Sequence, residues 1–407
     1  MNPWFDQLAE RFGTPFYAYD LDQARARAAE LFGLFPEAGT NRLMYSFKSN
    51  PLPALAADLR DAGCEADLTS TGEIAAAEEA GFDFSKALYG GPGKGAEEIA
   101  VALAAGVRQF SIESWQDLKT IGTAAREAGV RVTGLLRVNP NEAPRAQLAM
   151  TGVASQFGFE EDEFRDAPSQ QLLEFEDSVS FKGIHIYWGT QIGGPEALIA
   201  CFRAAVVSAE SISQSLGFPL RILNLGGGFP WPYAHRGSGP DLSPLKADLA
   251  ELHANAGAAR EAEWWFESGR YLSASAGTLV ARVMDVKESK DKTFVVLDTG
   301  IHHLGGMTGL GRIQRFRIDF GVPENREGEI RAEVVGQLCT PLDCLAKKAV
   351  LPRLEVGDLV SVPNVGAYGL TGSVVAFLSR PAPKEIVYRG EEIVAVHQLR
   401  TGHERIT

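Results

Sequence analysis

Short apolar runs recur along the first two-thirds of the chain, and most are followed by an Ala-rich stretch with helical spacing. The runs are Leu43–Phe47, Cys64–Leu68, Ala87–Tyr89, Gln109–Ile112, Gly134–Val138, Phe181–Trp188, Ile222–Leu225 and Trp264–Glu267. These runs read as strands, with a helix candidate after most of them. Leu52, Leu55, Ala56 and Leu59 follow the helical period, and Gly63 stands where a C-terminal cap belongs. Ser70-Thr71-Gly72-Glu73 is a capping-box pattern opening the next helix, which Gly81 closes. Ser114 caps a third helix, with Asp117 in its first turn. Eight strand–helix units predict a TIM-type (β/α)8 barrel, whose active site lies at the C-terminal ends of the strands. A doubly wound open sheet is the alternative with the same alternation.

After about residue 280 the pattern changes to short β runs separated by turn residues. Thr278–Val286, Thr293–Asp298, Arg331–Val335, Leu359–Val362 and Glu385–Tyr388 predict a second, all-β domain. The isolated run Pro15–Tyr19 can join that sheet, leaving the barrel inserted between two pieces of the β domain. The boundaries read from this pattern are 27–277 for the barrel and 1–26 plus 278–407 for the β domain.

The chain has 407 residues, enough for two cores. Its formal net charge of −13 argues against nucleic acid or an anionic membrane as partner. No apolar run is long enough to span a bilayer, and the N-terminal segment lacks the apolar core of a signal peptide. Cys64, Cys201, Cys339 and Cys344 are too few for a disulfide scaffold and include no Cys-x-x-Cys pair, which reads as reduced thiols of a cytoplasmic protein; no metal site is expected.

Five segments carry candidate chemistry, and each alone has a plainer explanation. Lys48, in Tyr45-Ser46-Phe47-Lys48-Ser49-Asn50, closes a strand; among apolar neighbours it would be a desolvated amine nucleophile, or else a surface lysine. Gly226, Gly227 and Gly228 follow another strand, where bare backbone N–H groups can approach a phosphate, or form a flexible turn. Glu267, in Phe266-Glu267-Ser268-Gly269-Arg270-Tyr271, can hold a heteroaromatic nitrogen protonated, or pair with Arg270. Gly336–Asp343, with Cys339, and Asn364–Tyr368 read as loops with reactive side chains, or as ordinary turns.

Together and in this order, YSFKSN, NLGGGFP, ESGRYLSASAG, CTPLD and GAYG resemble the fold-III pyridoxal-phosphate (PLP) decarboxylases, which include diaminopimelate, ornithine and arginine decarboxylases. The resemblance spans about Phe16 to Arg380. It implies that Lys48 holds PLP as a Schiff base and that Glu267 pairs with the pyridine nitrogen. Gly226, Gly227, Gly228, Arg270 and Tyr368 would hold the phosphate, and Asp67 and Arg137 match positions near the ring. Cys339 matches the cysteine that returns a proton to the substrate carbon, and Asp343 matches an aspartate of the same loop. It also implies a homodimer with shared sites, the cysteine loop entering the partner's barrel.

Two departures bear on the substrate and the cofactor's ring. The position of the relatives' ring-stacking histidine falls on Tyr187, with Thr190 at the hydroxyl position near the phosphate; His185 reads as a structural neighbour. Diamine decarboxylases carry an acidic residue directly after the cysteine, and here it is Thr340. A desolvated ammonium without a carboxylate partner loses several kcal/mol, which argues against free lysine, ornithine or diaminopimelate. The Arg-Pro pair that grips a distal carboxylate is also missing near Ile301–Leu304. CTPLD resembles instead the subgroup acting on aminoacyl groups tethered to carrier proteins, such as glutamyl-carrier decarboxylases. An acidic carrier would need a locally basic face, for which Lys287, Lys290, Lys292, Lys347, Lys348 and Arg353 are candidates, or simply solvated surface. A PLP racemase on the same barrel would place Arg rather than Glu at position 267, and a non-catalytic regulatory homologue would lack Lys48 or Cys339.

Overall fold

A computed structural model of the chain describes residues 2–141, 154–164, 169–305 and 317–406. They form two compact units, residues 25–231 with 239–271, and residues 1–24 with 232–238 and 272–407. The unit boundaries thus fall a few residues N-terminal of those read from the sequence, and the short piece 232–238 goes to the second unit.

β1 (Phe16–Asp20) belongs to the second unit. The first unit is built on β2 (Asn41–Ser46), β3 (Glu65–Leu68), β4 (Leu88–Tyr89), β5 (Gln109–Ile112), β6 (Val132–Asn139), the short β7 (Phe159–Glu160), β8 (Val179–His185), β9 (Ile222–Asn224) and β10 (Glu263–Ser268). β2 to β6 pair in sequence, all parallel, then β6 with β8, β8 with β9, and β9 with β10. β10 pairs in turn with β2, Glu267 opposite Met44, which closes an eight-stranded barrel; β7 only extends β6. Each apolar run of the sequence lies on one of these strands, although β8 stops at His185 rather than Trp188.

Met44, Leu88, Leu135, Ile222 and Trp265, one from each of five strands, pack into one buried cluster inside the barrel. Truncating such a residue to Ala costs about 2–5 kcal/mol. The helix caps form as the sequence predicts: the Ser70 hydroxyl accepts the Glu73 N–H at 3.2 Å, and the Ser114 hydroxyl accepts the Asp117 N–H at 3.1 Å. Glu73 departs from the reciprocal box, because its carboxylate takes the Thr69 N–H at 2.7 Å, one residue before the cap.

The second unit is one sheet of β1, β11 (Gly277–Ser289), β12 (Lys292–Leu297), β13 (Ile330–Val335), β14 (Cys344–Leu351), β15 (Leu359–Val362), β16 (Lys384–Arg389) and β17 (Glu392–Gln398). Its order is β14-β13-β12-β11-β1-β16-β17, with β15 on β11. The N-terminal strand lies mid-sheet, antiparallel to β11 and parallel to β16. Phe5, Leu8 and Ala9 of the first helix cover it, packing on Phe16, Ala18, Val280 and Ile386. Among the described residues no helix is long and apolar enough to cross a membrane.

Candidate active site

Lys48 sits in a single 3-10 turn, Phe47–Ser49, at the C-terminal end of β2. Its Nζ lies 3.2 Å from Asp67 Oδ2 on β3, which also accepts the Ser46 hydroxyl at 2.7 Å. The lysine side chain is 42% exposed. The desolvated amine expected from the sequence is therefore not what the fold provides: its neighbours Phe47 and Tyr45 turn into the core, while the ammonium faces solvent and a carboxylate. Glu73 stands near this pair, and burial pushes its carboxyl up to about 7 against the Thr69 N–H bond that favours its charged form.

Arg137, at the end of β6, is buried and directs its guanidinium to Glu113 Oε1 at 2.8 Å, beneath the Phe157 ring at 4.7 Å. Glu113 also accepts the Gly91 N–H at 2.9 Å, and its own N–H is held by Asp117. Asp117 in turn pairs with the buried Lys94 at 2.8 Å. Sequence spacing gave no sign of Glu113 and Lys94, since these contacts join the ends of different strands.

The Gly226–Gly228 turn follows β9. Gly226 and Gly228 have φ of +66° and +102°, where a side chain is strained. A Cβ on Gly227 would lie 2.2 Å from the Glu267 carbonyl oxygen, one on Gly226 2.9 Å from Tyr187 Cα, and one on Gly228 2.4 Å from Ile192. All three bare backbones are thus enforced by packing, and a flexible turn is excluded. The half-buried Tyr187 lies beside this turn, and Thr190 is also half-buried.

Glu267, 3% exposed at the end of β10, accepts the Asn224 side-chain amide at 2.8 Å. Asn224 uses its other end to accept the Gly226 N–H at 2.8 Å, so one side chain ties the carboxylate to the glycine turn. His185 Nε2 lies 3.2 Å from the same Glu267 Oε1, and its Nδ1 is 2.8 Å from Ser111 Oγ. Burial first, then the charge of Arg137, pushes His185 down to about 3, so the ring is neutral. Arg270 opens the short helix after β10 and is half-buried.

In the second unit, Cys339 is exposed on the loop between β13 and β14. Asp343 is buried behind it, Oδ1 accepting the Ile301 N–H and Oδ2 the Leu338 N–H, both at 2.8 Å. Gly300 and Gly336 leave its slot, since a Cβ on either would lie 2.2 Å from a carboxylate oxygen. One oxygen is thus held within the loop and the other by the segment after β12. Thr340 turns its hydroxyl to the Leu342 N–H at 3.3 Å. Tyr368 adopts φ +55°, and its carbonyl accepts the Tyr233 hydroxyl at 3.1 Å. Lys287, Lys290, Lys292, Lys347, Lys348 and Arg353 are all exposed, and Lys292 is paired with Glu333.

Among the described residues no cluster of His, Cys, Asp and Glu could hold a metal ion. Three enforced bare backbones, a buried carboxylate fixed to them and a lysine opposite a carboxylate fit a phosphorylated heteroaromatic aldehyde. Residues 21–274 match the family described as pyridoxal-dependent decarboxylase, pyridoxal binding domain. The chain is 35% identical over 411 aligned residues, covering 98% of this chain and 94% of the relative, to an L-glutamyl-[BtrI acyl-carrier protein] decarboxylase of Niallia circulans. It is 29% identical over 407 aligned residues to a diaminopimelate decarboxylase of Zymomonas mobilis, covering 97% of this chain and 92% of the relative. The crystal structure of a mutant diaminopimelate decarboxylase from Helicobacter pylori complexed with L-lysine superposes with a TM-score of 0.85 at 26% identity, covering 98% of this chain and 97% of that one. The closed barrel with its separate β sheet, the site at the strand ends and these matches agree, and the chain belongs to the pyridoxal-dependent decarboxylases.

Proposed function

We propose that this enzyme removes the α-carboxylate of a glutamyl or similar aminoacyl group tethered to a carrier protein. The observation that carries this reading is the state of the Cys339 loop. Thr340 takes the sequence position of the acid that diamine decarboxylases carry, and Asp343, the loop's carboxylate, is buried and turned to the Leu338 and Ile301 N–H groups. The loop 336–343 therefore offers no exposed carboxylate to a second amine, whose burial without one costs several kcal/mol. The similarity to a glutamyl-carrier decarboxylase over nearly the whole chain supports the same choice.

When bound, PLP supplies the electron sink for the pair released as the bond from Cα to the carboxylate breaks. Lys48 would hold the aldehyde carbon through its Nζ, and Asp67 pairs with that amine at 3.2 Å. Gly226, Gly227 and Gly228, with Arg270 and Tyr368, would offer donors to the phosphate. Tyr187 would cover the ring and Thr190 the phosphate edge, while Arg137 braces the site through Glu113. Glu267 would face the pyridine nitrogen and keep it protonated. The Cys339 thiol would return the proton to Cα, supplied by a second copy of the chain in a homodimer. The four unbridged cysteines suit the reducing cytoplasm.

The test is carbon dioxide release by PLP-loaded protein from free lysine, ornithine, arginine, diaminopimelate and glutamate, beside a glutamyl-carrier substrate. Release confined to the tethered substrate supports the reading. Rapid release from a free diamino acid overturns it.

A further inference from the structure

Gln191, half-buried on the loop after β8, is bonded twice to the backbone of Trp231, three residues past the glycine turn. Its Nε2 donates to the Trp231 carbonyl at 2.8 Å, and its Oε1 accepts the Trp231 N–H at 2.8 Å. A backbone N–H only donates and a carbonyl only accepts, so these partners fix which end of the amide is which. Gln191 holds φ at +58°, where a glycine sits without strain and a glutamine does not. Strain of this kind persists only where the surrounding structure over-determines it. Trp231 is itself a fixed post. It is buried, its ring lies edge-on to Tyr271 at 5.2 Å, and the Arg27 guanidinium covers it at 5.0 Å. Tyr271 and Arg27 both pair with Glu30, at 2.8 and 2.6 Å.

The glycine turn lies between these two residues. Gly228 accepts the N–H of Ile192, the residue after Gln191, at 3.0 Å. A Cβ on Gly228 would also lie 3.0 Å from the Gly189 carbonyl oxygen, so the loop 189–192 rests directly on the turn. Packing bars side chains from the three glycines, but a bare backbone can still shift as a unit. The Gln191 amide opposes that shift, because it ties the loop to the fixed residue where the turn ends. From this arrangement we infer that Gln191 is a positioning residue for the phosphate cup, holding Thr190 and the N–H groups of Gly226–Gly228 at one spacing. Hydrogen bonds weaken steeply as distance and angle depart from their optimum. Loss of the tie therefore costs phosphate affinity and leaves the remainder of the cofactor's contacts in place. This inference rests on the assignment of the glycine turn to the cofactor's phosphate.

The experiment titrates the full-length apoprotein with PLP and with pyridoxal, which lacks the phosphate, and follows the absorbance change on binding. The ratio of the two affinities reads the phosphate cup independently of turnover, whereas a general loosening of the fold lowers both affinities together. Gln191→Gly suits the backbone at φ +58° and removes only the amide. It should weaken PLP roughly tenfold or more, the loss of one charge-assisted hydrogen bond, and pyridoxal by less than about twofold. Gly227→Ala is the control that separates the two claims. If it leaves the ratio at the wild-type value, the glycine turn is not the phosphate site, and the inference falls with that assignment. A wild-type ratio in Gln191→Gly, with Gly227→Ala responding, overturns the role of Gln191. Should Gln191→Gly fail to fold, Gln191→Met, similar in length but without the amide, decides by the same ratio.

Discussion

The carboxylate of Asp343 accepts the N–H of Leu338, the residue before Cys339, at 2.8 Å. The reactive side chain of this loop is thus exposed while the backbone beneath it is pinned by a buried charge. Asp343→Asn keeps the shape and one acceptor but loses a charge-assisted bond, worth about 1.5–3 kcal/mol. Cys339 should then be alkylated several-fold faster in the holoenzyme, and kcat should fall by at least tenfold with little change in cofactor content. Thiol labelling followed by mass spectrometry checks this, and unchanged labelling contradicts the pinning.

Gly227→Ala puts a methyl 2.2 Å from the Glu267 carbonyl oxygen, which a β strand end cannot yield cheaply. Forced overpacking of this kind costs about 1–3 kcal/mol. The protein should fold with a lower melting temperature and bind PLP at least tenfold more weakly, as followed by cofactor absorbance during dialysis. Equal retention would remove the turn from the phosphate site.

Much of this was legible in the sequence, and what was missed shares a cause. The eight barrel strands are buried on both faces and so read as plain apolar runs. Of the strands not foreseen, β7 is a two-residue extension of β6, and β14 and β17 are the ends of the second sheet. β14 carries Lys347 and Lys348, and β17 has no fully buried residue, so neither shows a continuous apolar face. Lys48, Glu267 and the glycines stood out as candidates because each ends or follows a strand. Asn224 had a local signal, since its side chain accepts an N–H two residues on, as in an Asx turn. Ser111 and His185 had none: their partnership spans 74 positions and exists only because β5 and β8 flank β6.

Acid should destabilise the protein through its buried neutral histidines. His185 is held down to about 3 in the folded chain, against an ordinary value of 6.5. The unfolded state therefore binds more protons between these values, and the stability contributed by the neutral ring is lost as pH falls from 6.5 toward 3. By pH 5 this amounts to roughly 2 kcal/mol. His303, also buried and pushed down to about 3, adds to the same slope. Urea denaturation from pH 7 to 4 should show a steep loss of stability in wild type and a shallower one in His185→Gln. Parallel profiles would contradict the assignment.

Asp67→Ala removes the partner 3.2 Å from Lys48 Nζ and leaves the Ser46 hydroxyl without its acceptor. Lys48 loses its direction, and the pH at which the cofactor's absorbance changes should shift, with kcat reduced at least tenfold. Stopped-flow absorbance on cofactor binding measures both; an unchanged titration would show that Asp67 does not reach the lysine in the working enzyme.

Borohydride reduction of the PLP-loaded protein, followed by peptide mapping, fixes the lysine that carries the cofactor. A phosphopyridoxyl mass confined to the peptide containing Lys48, absent in Lys48→Ala together with all carbon dioxide release, is the predicted result. Label on another lysine, or activity surviving in Lys48→Ala, would contradict the central assignment.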